Sequence, residues 1–112
     1  MVNSAKLDAV FAALSDPTRR RMIERLSRRS MTVGEMAEGF AISQPGISKH
    51  VKVLEQAGLL KRDIVGREHR CKIQPHAIEA ASSWLERQQQ FWNATLDRLD
   101  TFFATSPKSR KR

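Results

Sequence analysis

The stretch "ISQPGISKHVKVLEQAGLLKR", Ile42 to Arg62, decides how the chain is read. Ser43 is a helix-capping residue, and Pro45 is tolerated in the first turn, where backbone N–H groups have no intrahelical partner. Ile47, Val51 and Leu54 follow the i, i+4, i+7 rule of a buried stripe, and Gly58 stops the helix. With that stripe turned inward at 100° per residue, Gln44, Pro45, Ser48, Lys49 and Lys52 face outward and His50 sits on the flank. The N-terminal half of the outward face is small and polar, so the backbone can come close to base edges. Gln44 can bond adenine bidentately, Lys49 can reach guanine O6 and N7, and Ser48 can serve several bases. The helix N-terminus also favours a phosphate. The plain alternative is a capped surface helix that happens to be basic.

Working outward, three helices precede this one. The first spans roughly Ser4 to Leu14, with Val10, Phe11 and Leu14 on one side. In "SDPTRRRMIERLSRR", Asp16 is an N-cap and Pro17 suits the first helical position. Met22, Ile23 and Leu26 form the stripe of that second helix, surrounded by arginines. "TVGE" is a capping box that opens a short third helix, with Thr32 as cap and Glu35 reaching back. Its apolar side is Val33, Met36, Ala37 and Phe40, and it ends near Gly39.

After Gly58, "LLKRDIVGREHRCKI" predicts two strands around a turn at Gly66. In the second strand Arg67, His69, Cys71 and Ile73 alternate with Glu68, Arg70 and Lys72. Two helices joined by "GFAISQ" and followed by a hairpin predict a winged helix-turn-helix, mainly α with a small β-hairpin wing. In it the fourth helix enters a major groove. Ser43, Gln44, Pro45, Ser48, Lys49, His50, Lys52, Arg67 and Arg70 are the candidate DNA contacts. Arg67, Arg70 and Lys52 are assigned to phosphates or the minor groove.

Pro75 opens a helix to about Thr105. Leu85, Trp92 and Leu99 recur every seven residues, as do Leu96 and Phe103, which predicts a coiled-coil-like seam. About 29 residues at 1.5 Å each make a rod of roughly 43 Å, more than a small core can cover. Exposed aromatics on that scale are a liability. A second copy around a two-fold axis is the simplest cover, so a homodimer is expected, with Phe91 and Trp92 among its anchors.

Charge agrees with an anionic partner. Lys and Arg number 20 against 12 Asp and Glu in 112 residues, a net charge of +8. One cysteine, Cys71, precludes an intrachain disulfide and suits a reducing cytoplasm. The apolar cluster "AVFAAL" lacks the flanks of a signal peptide, and no run approaches a membrane span. One domain is expected over 1–105, followed by a basic, disordered tail, "SPKSRKR", at 106–112.

"LSDPTRRRMIERL", "MTVGEMAEGFAISQPGISKHVKVLEQAGLLKR" and "GREHRCKI" together resemble the ArsR/SmtB family of winged-helix transcriptional repressors. "WLERQQQFWNATLDRLDTF" is similar to an autoregulatory branch of that family. The resemblance implies a homodimer that binds an imperfect palindrome in its own promoter. The first and last helices would form the interface, through Phe11, Leu14, Leu85, Phe91, Trp92, Leu96 and Leu99. It also exposes departures. Where the family's metal sensors carry Cys-Val-Cys in the third helix, Thr32 and Gly34 stand here, and neither is a soft ligand. His76 and Glu79 begin the last helix as in a second family site, but no later histidine follows. No metal and no cofactor are therefore expected. The alternatives are a metal- or thiol-responsive sensor built on His69, Cys71 and His76, or a non-specific architectural DNA-binding protein. An enzyme is not expected. There is no Gly-rich phosphate loop, and Asp16, Asp63, Glu68, Asp97 and Asp100 form no acid–base pair in sequence.

Overall fold

Three of the helices start on side-chain acceptors in the computed structural model, which describes residues 4–104. The basic tail expected to be disordered lies outside them. The first helix, α1, spans Ser4–Leu14. Asp16 then accepts from the Arg19 N–H at 3.0 Å and starts α2, Pro17–Leu26. Thr32 and Glu35 complete the expected capping box at 3.0 and 2.9 Å and start α3, Val33–Ala37. Ser43 Oγ accepts from the Gly46 N–H and starts α4, Gln44–Gln56.

The end of α4 is a Schellman motif. The Leu59 N–H donates to the Leu54 carbonyl at 2.9 Å and the Gly58 N–H to the Glu55 carbonyl at 3.0 Å. Gly58 sits at φ +78°, where a Cβ is penalised. The motif drops Leu59 and Leu60 into the core and sends the chain into the wing. Strands β2, Leu60–Val65, and β3, Glu68–Ile73, pair antiparallel from Leu60↔Ile73 to Val65↔Glu68. That register leaves a two-residue turn. Gly66 holds its first position at φ +63° while Arg67 stays at negative φ, which is the pattern of a II′ hairpin turn.

A third strand extends the expected hairpin. Strand β1, Met31–Thr32, pairs with Cys71 and Arg70, giving the sheet order β1-β3-β2. Alternation along β3 holds at its base, where Cys71 is buried between exposed Lys72 and half-buried Arg70. It fails at the tip, where His69 and Glu68 are both exposed because the hairpin outruns the helices.

The chain divides into two compact units, Met1–Ala81 and Ser82–Arg112. The core of the first joins Val10 and Ala13 of α1, Met22 and Leu26 of α2, Met36 of α3, and Ile47, Val51 and Leu54 of α4. Phe11 and Leu14 are half-buried against it, and Ala13 takes the fully buried place on α1. Two arginines of α2 act as clamps rather than as surface charges. Arg25 donates to the Met36 carbonyl at 2.7 Å and the Glu35 carbonyl at 3.3 Å, with its guanidinium over Phe40. It thereby caps the end of α3, supplying the Met36 carbonyl and adding to the Glu38 N–H on the Glu35 carbonyl. Arg19 does the same for α1, through the Ala13 carbonyl at 2.6 Å.

The second unit is helical over its described length, as part of α5, Pro75–Ala104. Leu85, Phe91, Trp92, Leu96, Leu99, Phe102 and Phe103 along it are all exposed. Phe91 and Trp92 meet edge to face at 5.8 Å, and so do Phe102 and Phe103 at 5.5 Å. Among the described residues, no helix is long and apolar enough to cross a membrane.

Candidate nucleic-acid interface

The first two turns of α4 and the wing frame an open groove of about 380 Å³. Gln44 and Ser48 line it from α4, Thr32, Val33 and Gly34 from the entry to α3, and Arg62, Arg67, Glu68 and His69 from the wing. The tilt of the wing is tied to α4 by one ion pair. Arg62 of β2 reaches Glu55 of α4 at 2.7 Å, with the arginine side chain only 22% exposed. Lys61 and Lys72 flank Asp63 further along the sheet, at 3.9 and 3.7 Å.

The nine expected contact residues do not share one role. Ser43, Gln44, Pro45, Lys49 and Lys52 are exposed on α4, and Ser48 is half-buried beside them. Gln44, Ser48 and Arg67 come together in the groove. Arg67 occupies the wing's turn and is exposed. Arg70 is half-buried and reaches across the sheet toward β1, donating to Ser30 Oγ at 3.2 Å and pairing with Glu68 at 3.6 Å. His50 lies on the other flank of α4, half-buried, with Nδ1 3.3 Å from Nη1 of Arg19. Arg62, Glu68 and His69 also line the groove and were not among the contacts expected from sequence. Alternation put His69 on the face of Cys71, but it lies on the polar hairpin tip beyond the core and is exposed.

Electrostatics separate the acids from the thiol. The Arg19 backbone N–H holds the Asp16 carboxyl below its usual range, helped by the charge of Arg19. The Thr32 backbone N–H does the same for Glu35, with Arg29 and Arg70 adding to it. Burial pushes the Cys71 thiol up, against the opposing pull of Arg62. A protonated, buried thiol is a poor ligand and a poor nucleophile. His69 is exposed at the tip and His76 is exposed at the start of α5. The donor set His69, Cys71 and His76 does not fit a metal, because Cys71 packs inward between Met31 and Arg62. Among the described residues no group of three His, Cys, Asp or Glu could hold one.

This arrangement is matched by known proteins. Residues 14–63 match a family model described as a helix-turn-helix domain. Transcriptional repressor SdpR of Bacillus subtilis is 34% identical over 79 residues, 70% of this chain and 88% of the relative. The crystal structure of an ArsR family transcriptional regulator, RHA00566, superposes with a TM-score of 0.77 at 37% identity, covering 82% of this chain and 95% of that one. The chain belongs to the ArsR family of winged helix-turn-helix regulators. It is thus a DNA-binding transcriptional repressor by family. The homodimeric winged helix-turn-helix DNA-binding domain of Mb0332 from Mycobacterium bovis shares the ArsR-type fold at 18% identity, with a TM-score of 0.61.

Proposed function

We propose that this ArsR-family chain works as a homodimer that represses its own promoter by binding an imperfect palindrome there, without a metal. The observation that carries the reading is the groove shared by Gln44, Ser48 and Arg67, which joins the small polar end of α4 to the wing. In this reading α4 lies in the major groove and the wing on the flanking DNA. Gln44, Ser48 and Lys49 select bases, while Lys52 and Arg67 hold phosphates or the minor groove. Arg70 contributes less directly, because Glu68 and Ser30 already occupy its guanidinium.

Dimerisation is supported by the row of exposed Leu, Trp and Phe side chains on α5, which a second copy would cover, and by the homodimeric relative. Two half-sites about one helical turn apart, roughly 34 Å, would then suit two copies of α4. A metal-independent mode is supported by the inward-facing Cys71 and by Thr32 and Gly34 in place of thiolates. Such a dimer sets its own level without a signal, in the cytoplasm and without catalysis. The test is a gel shift and footprint on the protein's own promoter against random DNA. A protected, two-fold symmetric site that resists random competitor is expected. Equal binding to any sequence would assign an architectural role instead.

A further inference from the structure

Arg19 joins three helices. From α2 its Nε donates to the Ala13 carbonyl at 2.6 Å and its Nη2 to the Ala12 carbonyl at 3.2 Å, both at the end of α1. Its remaining arm, Nη1, meets Nδ1 of His50 on α4 at 3.3 Å. A guanidinium can only donate. Nδ1 must therefore offer its lone pair, which requires a neutral imidazole with its proton on Nε2. The one polar atom His50 has left is a donor. Asp16 is occupied as the α2 cap.

The position of His50 says what that donor meets. At 100° per residue it stands about 160° round α4 from Ser48, so the two residues mark opposite flanks of the outward face. A helix fills a major groove, and its flanks meet the walls of sugar and phosphate rather than base edges. We propose that Arg19 is a positioning residue for DNA binding: it fixes the neutral Nε2–H form of His50, which donates to a backbone phosphate oxygen. This rests on α4 being the DNA-reading helix. A neutral donor has a distinctive signature. It adds affinity for every sequence but releases no counterion, so it leaves the salt slope unchanged.

The side-chain amide oxygen in His50→Asn stands near the place of Nδ1 and can still accept from Arg19, but nothing replaces Nε2. This variant is expected to bind promoter and unrelated DNA about tenfold more weakly at an unchanged salt slope. Lys52→Ala, by contrast, lowers the slope by about one. Arg19→Met is expected to weaken binding by a similar factor in the unmodified chain and by nothing on the His50→Asn background. Thermal unfolding checks that each variant folds. Should Arg19→Met fail to fold, nitrogen-15 NMR of histidine-labelled protein reads the same point in the unmodified chain: Nδ1 bare and Nε2 protonated at neutral pH. A protonated Nδ1, an unimpaired His50→Asn, or an equal loss from Arg19→Met on both backgrounds overturns the proposal. If Lys49→Ala and Lys52→Ala also leave binding intact, the assignment of α4 to DNA falls with it. If those two impair binding and His50→Asn does not, only the Arg19–His50 proposal fails.

Discussion

Replacing Trp92 by alanine should break the dimer and spare the fold. Trp92 is 58% exposed in the single chain. A tryptophan side chain offers about 250 Å², so about 145 Å² of it faces solvent. At about 25 cal/mol per Å², covering that area stabilises the assembly by about 3.6 kcal/mol per copy, or about 7 kcal/mol for two. If only half of the exposed surface is covered, the loss is still about 3.6 kcal/mol, several hundredfold in the association constant. The same substitution removes little that the monomer buries, so helix content should persist. Sedimentation equilibrium across a wide range of concentration measures the association, and circular dichroism follows the helix. A stable monomer for the unmodified chain at micromolar concentration would refute the reasoning. An association constant unchanged in Trp92→Ala would do so equally.

Four further outcomes are expected. Lys49→Ala should cost about 1–3 kcal/mol on the preferred site only, while Arg67→Ala should weaken all sequences and lower the salt slope by about one; gel shifts at several salt concentrations compare them. A Cβ on Gly39 would stand 2.5 Å from Nη1 of Arg25 and push that clamp off the α3 carbonyls, so Gly39→Ala should destabilise by about 1–3 kcal/mol in thermal melts despite the lower entropy of the unfolded chain. Because the carboxyls of Asp16 and Glu35 titrate below their usual range in the folded chain, their contribution is complete above the ordinary carboxylate pKa and fades as pH falls through the lowered values. Asp16→Asn with Glu35→Gln should therefore flatten the acid limb of the stability profile, read from denaturant midpoints. Operator affinity should stay the same with a chelator and with low micromolar Zn²⁺, Cu⁺ or Ni²⁺; a stoichiometric metal that shifts it tenfold would mean a ligand set other than His69, Cys71 and His76.

What could be read from sequence was local. Asp16, Thr32 with Glu35, Ser43 and Gly58 each act on backbone groups within a few residues of themselves, so their identity announces a helix end. The stripe Ile47, Val51 and Leu54 and the inward Cys71 follow from period alone. What escaped was tertiary. Strand β1 is two residues long, too short for any alternation, and exists because Met31 and Thr32 meet Cys71 and Arg70 forty residues on. Arg19 and Arg25 read as two more members of a basic helix. Their work is on carbonyls of α1 and α3, which only the packed fold brings within reach. The same limit applied to Arg70, whose engagement with Ser30 comes from that unforeseen strand. Of the candidate site, the α4 positions were legible, while the division of His50 from Gln44 and Ser48 onto two flanks became meaningful only with Arg19 in place.

The order of the small sheet bears on how copies of the chain can meet. An open strand edge is a template for unwanted pairing. One edge here, β1, is two residues long, and the Thr32 N–H is already given to the Glu35 carboxylate. The other, β2, carries Lys61, Arg62 and Asp63 in succession, each held in an ion pair. A neighbour pairing along β2 would have to strip these charges of their partners before it reached the exposed Ile64 and Val65 at the tip. Strand-to-strand aggregation is thus discouraged at both sides of the wing, even though the wing must stay exposed to reach its ligand. Under the proposed α5 interface, a variant that loses the aromatic row should become monomeric rather than find another way to stick.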